Sequence, residues 1–87
     1  MKYLKDLIGF QNLGAWTGLL GGNYGVFGKG KLLAVVHLDD EEVVLIFNRK
    51  KKIVIYKDPV MRRGGEKLLG LTLETVMNDI ERTFKDS

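Results

Sequence analysis

The stretch KLLAVVHLDDEEVVLIFNRKKKIVIYK, residues 31–57, decides the fold. Val, Ile, Leu, Phe and Tyr crowd into Lys31–Leu38, Glu42–Phe47 and Lys52–Lys57, and two short polar turns, Asp39–Glu41 and Asn48–Lys51, separate them. Runs of this length and composition, bounded by polar turns, predict three consecutive strands of an antiparallel meander. Successive positions are apolar on both faces, Val43, Leu45 and Phe47 on one and Val44 and Ile46 on the other. Neither face of the sheet can therefore be left to water, and something must cover each.

Upstream, Gly14–Gly30 is rich in glycine, interleaved with Trp16, Tyr24, Val26 and Phe27. Glycines there permit bulges and close backbone approach, and the segment is expected to give a strand near 23–28, with the remainder either strand or loop. Before it, Lys2–Asn12 sets Tyr3, Leu4, Leu7 and Ile8 a helical turn apart, and the spacing predicts a short amphipathic helix that Gly9 weakens and Gly14 helps to end. Downstream, Asp58-Pro59 closes the last strand, and Val60–Gly70 with Gly64-Gly65 reads as a connector. A final helix over Leu73–Phe84 carries Val76, Met77, Ile80 and Phe84 on one stripe, with Thr72 as N-cap and Leu71 as a hydrophobic staple.

The expected architecture is α+β: an N-terminal helix, a three- to four-stranded antiparallel meander and a C-terminal helix, in a single domain spanning residues 1–87. If both helices share one sheet face, the other is left for a partner or a second copy; if each takes one, the monomer suffices. The balance lies slightly toward the homodimer.

A chain of 87 residues buries only about 60% of its unfolded surface, which disfavours a deep enclosed site. The absence of cysteine excludes disulfides, thiolate zinc sites and a cysteine nucleophile. Met1–Leu20 is a poor secretory signal because Asp6, Gln11 and Asn12 interrupt it, and no apolar run approaches the roughly 18 residues of a spanning helix. The expected compartment is the cytoplasm.

Charge is the informative feature. The net formal charge is only +3, yet residues 49–67 hold eight basic side chains against Asp58 and Glu66. Turns of a meander alternate between sheet ends, so Lys29 and Lys31 should fall beside Arg49, Lys50, Lys51 and Lys52, with the acidic Asp39–Glu41 turn at the opposite end. Arg62 and Arg63 are expected near the acidic turn. A cluster of about six cations suits phosphate backbones, which reward the number of neutralised charges. The competing account is a solvated hairpin whose lysines discourage aggregation. Tyr24, between Asn23 and Gly25, is the aromatic residue best suited to stack on a base.

Chemical motifs do not survive inspection. Gly25–Lys31 fits the opening of a phosphate-binding loop, but Leu32 stands where Ser or Thr is required and a strand follows instead of a helix. His37 is the only histidine, and the only serine is Ser87. Asp39, Asp40, Glu41 and Glu42 lack the spacing of a calcium loop. No catalytic residue, metal or cofactor is expected. The functional expectation is a non-catalytic module binding nucleic acid through Tyr24, Lys29, Lys31 and Arg49–Lys52. Its alternative is a regulatory or inhibitory protein that meets an acidic protein surface by its sheet face or a strand edge. Attachment of the N-terminal segment to a membrane is disfavoured, since Asp6 opposes and only Lys2 and Lys5 attract.

Overall fold

The computed structural model describes residues 3–17, 23–58 and 73–86. Five strands, β1 (Gln11–Trp16), β2 (Tyr24–Lys29), β3 (Leu32–His37), β4 (Glu42–Asn48) and β5 (Ile53–Lys57), form one antiparallel sheet in the order β1-β2-β3-β4-β5. The helix α1 (Leu73–Phe84) follows, its bounds and inward stripe of Val76, Met77, Ile80 and Phe84 as expected. Thr72, Leu71, the 60–70 connector, Arg62 and Arg63 lie outside the described residues. No helix among the described residues is long and apolar enough to cross a membrane.

The sheet is buried on both sides. Against α1 lie Trp16, Val26, Leu33, Val35, Leu45 and Phe47. On the reverse lie Phe27, Ala34, Val36, Val43 and Ile46. Strict alternation along β4 would have put Val43 with Leu45 and Phe47, but the β3–β4 register shifts between Val35 and Val36. The shift leaves Val43 on the face of Ile46, while Leu45 and Phe47 stay under α1. A bulge of this kind costs one ladder position and re-aims every side chain beyond it. Similar shifts occur between Asn12 and Gly14 in β1 and opposite Ile55 in β5.

Two corrections concern the chain before β2. The expected N-terminal helix does not form: only a 3-10 turn, Leu4–Asp6, is present. Gln11–Trp16, running from the end of the expected helix into the glycine-rich stretch, forms an additional strand, β1, so the meander has five strands where three to four were expected. The physical reasons are local. A helix of about ten residues is marginal unless packing supports it, and Gly9 adopts φ +83°, which ends helical continuation. Backbone pairing offers a better alternative, since the Leu4 amide donates to the Glu41 carbonyl at 2.8 Å and Tyr3 bridges Glu42. The three-residue spacing has a real meaning all the same: Leu4, Leu7 and Phe10 all pack on the reverse face. A tight turn and a helix satisfy that spacing equally well.

The face opposite α1 is therefore partly covered, and what stays exposed on it narrows to a strip bearing Ile8, Ile53 and Ile55. If the N-terminal turn is an integral cover, Leu7→Ala should destabilise the fold by about 2–4 kcal/mol, comparable with Ile80→Ala on the other side. Urea unfolding followed by circular dichroism would show both losses in a single transition; an effect of Leu7→Ala within about 0.5 kcal/mol would make the turn an ornament.

Candidate functional site

The basic end of the sheet is built by two hairpins. Lys29 and Leu32 are cross-strand partners, joined only by Gly30 and Lys31. Gly30 takes φ +60°, and a Cβ there would meet nothing within 4 Å, so the tip is open. A positive φ on the first of two connecting residues is the type II′ pattern, in which glycine is favoured. The second hairpin joins Asn48 to Ile53 through Arg49–Lys52. Its first residue organises it: Asn48 Oδ1 accepts from the amides of Lys50 and Lys51, each at 3.0 Å. The Lys52 amide closes the loop on the Asn48 carbonyl at 2.8 Å, with Lys52 held at φ +57°.

The hairpins touch. The Arg49 amide donates to the Lys31 carbonyl at 2.8 Å. Lys29, Lys31 and Arg49–Lys52 therefore share one sheet end, even though β3 and β4 separate them in sequence.

Their side chains are not equivalent. Arg49 is half-buried and donates to the carbonyl of Phe84, the last residue of α1, at 3.0 Å. A guanidinium at this place satisfies a terminal carbonyl and meets the negative end of the helix dipole. Lys52 pairs with Glu81 of α1. Lys29 lies along Gly9 and donates to the Ile8 carbonyl at 3.2 Å. Lys31, Lys50 and Lys51 are exposed, and no side-chain partner is seen for them among the described residues. Three of the six cations thus serve the fold and three point to solvent.

Tyr24 is elsewhere. It pairs with His37 at the far end of β2, roughly 16 Å from Lys29 at about 3.3 Å per residue. Its ring lies between Trp16 at 5.7 Å and His37 at 5.4 Å, both tilted, and it packs against the core under α1. It forms no platform beside the lysines. Its surroundings are acidic instead: His37 Nδ1 meets Asp40 at 3.2 Å and Nε2 meets Asp39 at 3.5 Å, while Asn23 donates to Asp39 at 3.1 Å. Burial first, then the nearby Asp39 and Asp40 charges, raise the Tyr24 hydroxyl above the usual phenol range. Burial pushes the Asp40 carboxyl up, but the Glu42 amide and His37 outweigh it and hold it below the usual carboxylate range.

Sequence reasoning found which cations converge and missed what holds them. Glu81 and the Phe84 carbonyl belong to the site only because the C-terminus of α1 ends over the basic hairpins, and Ile8 enters because the N-terminal segment turns back under Lys29. A late acidic residue on a helix flank, Glu81, was the available signal for the first. Nothing local announced the second.

No protein-family model, curated protein or solved structure matches the chain. Function must then be read from the site.

The Tyr24 shift gives a test with a fixed sign. A phenol whose folded-state pKa is raised keeps its proton longer when folded, so its contribution to stability is complete below pH 10 and is lost as pH rises beyond it. Tyr24→Phe should flatten the decline in stability above pH 10, read by urea unfolding at stepped pH; an unchanged slope would place Tyr24 in open solvent.

Proposed function

We propose that the chain is a non-catalytic binding module whose lysine-bearing sheet end holds nucleic acid by its phosphates. The observation that supports this reading is the Arg49 amide to Lys31 carbonyl bond, which fixes two cation-bearing loops side by side. Lys31, Lys50 and Lys51 are the groups that would neutralise phosphates, because each is exposed on a hairpin tip. Lys29 and Arg49 add fixed positive charge behind them, while Glu81 offsets Lys52. Contacts of this kind position a strand without reading its bases. Binding would be weak, tolerant of sequence and sensitive to salt.

A second reading is favoured by one observation, the exposure of Ile8, Ile53 and Ile55, with Ile8 and Ile55 lining one groove with Lys29. A partner protein with an acidic surface and an apolar contact would use both, and the chain would then act as a regulatory or inhibitory protein.

Fluorescence anisotropy with labelled oligonucleotides between about 50 and 200 mM salt tests the first reading. With about three phosphates neutralised, log affinity should fall with log salt at a slope near −3. Lys50→Glu combined with Lys51→Glu should weaken binding at least tenfold for every sequence and flatten the slope by about 2. Absence of binding at low salt, or indifference to salt, contradicts the nucleic-acid reading; an isolated protein partner that is retained by the double variant would favour the second.

A further inference from the structure

The N-terminal turn and the edge strand β5 leave a groove between them on the sheet face opposite α1. Phe10, Leu32, Ile46 and Ile55 line it, and it encloses about 410 Å³. At its lip stands Ile8, 74% exposed, the most exposed large apolar side chain among the described residues, and Ile53 and Ile55 are 55% and 56% exposed. In a domain that buries Val26, Leu33, Val36, Val43 and Phe47 completely, such a patch calls for an occupant.

We propose that this patch is a two-fold interface with a second copy of the chain, each Ile8 seated in the other's groove. The patch carries both halves of such a contact, a projecting aliphatic side chain and a recess lined by aliphatic and aromatic ones. An isologous interface demands that kind of self-complementarity. Charge agrees with shape. Asp6 and Lys29 both line the groove, so a copy rotated by 180° can bring ammonium to carboxylate, whereas an anionic partner would meet an opposing carboxylate. Lys29 donates to the Ile8 carbonyl at 3.2 Å and, as an ammonium, has further donors to offer. The exposed Lys31, Lys50 and Lys51 sit on the hairpin tips and are not among the groove's lining, so the interface and the phosphate site coexist. The inference does not rest on the nucleic-acid reading.

The area is small, so the dimer dissociates on dilution. Sedimentation equilibrium of the full chain without nucleic acid, from roughly 1 µM to 1 mM, should show the mean mass rising from monomer toward dimer. Ile8→Asp and Ile55→Asp should each weaken association at least tenfold. Chemical-shift changes on dilution of the unmodified chain locate the contact without any variant, and are expected at the amides of Ile8, Phe10, Leu32, Ile46 and Ile55. A monomer across the whole range overturns the proposal, as does a dimer that both substitutions leave intact or whose dilution shifts fall at β1 or the acidic turn.

Discussion

A sheet that is apolar on both faces must be covered twice, and among the described residues two short segments do so. One cover is a regular helix, α1, whose stripe of Val76, Met77, Ile80 and Phe84 meets Leu33, Val35, Leu45 and Phe47. The other is a tight turn that brings Leu4, Leu7 and Phe10 against Ala34, Val36, Val43 and Ile46. Burial of this kind supplies the main driving force of folding. The turn is too small to reach the edge strand, which is why Ile53 and Ile55 stay exposed while their counterparts in β3 and β4 do not.

The covers also decide what the charges do. Alternation of hairpins sends Lys29, Lys31 and Arg49–Lys52 to one end and Asp39–Glu41 to the other, so the domain is electrically polarised. Each end is then partly satisfied from within. At the basic end the C-terminus of α1 takes Arg49 through the Phe84 carbonyl and Lys52 through Glu81. At the acidic end His37 stands between Asp39 and Asp40, and Asp40 also accepts the Glu42 amide at 3.0 Å. Among the described residues of the predicted cluster, Lys31, Lys50 and Lys51 are exposed with no side-chain partner seen, a smaller anion site than the sequence count suggests.

The legible part of the fold was the part governed by short-range pattern. Three strands and α1 follow from β-branched runs and a helical stripe, and their turns fall where polar residues interrupt those runs. Adjacency of the two basic hairpins followed as well, because meander topology leaves them no other place. The illegible parts were settled by contacts distant in sequence. Leu4, Leu7 and Phe10 satisfy helix and turn alike, and the pairing of Leu4 with Glu41 chose between them. Gly14 and Ala15 carry little strand propensity, and β1 exists because β2 offers an edge to pair with. The bulge beside Val36 moved Val43 across the sheet, which strict alternation could not foresee. Tyr24 looked exposed between Asn23 and Gly25, yet Trp16 and His37 flank it.

The central claim is that two loops remote in sequence act as one cationic surface. Nuclear magnetic resonance titration of the isotope-labelled chain with a short oligonucleotide tests it most directly. The account predicts that the amides of Lys29–Lys31 and Arg49–Lys52 shift together, on one binding curve, while those of Asp39–Glu42 stay still. Shifts confined to one loop, or centred on the acidic turn, would contradict it.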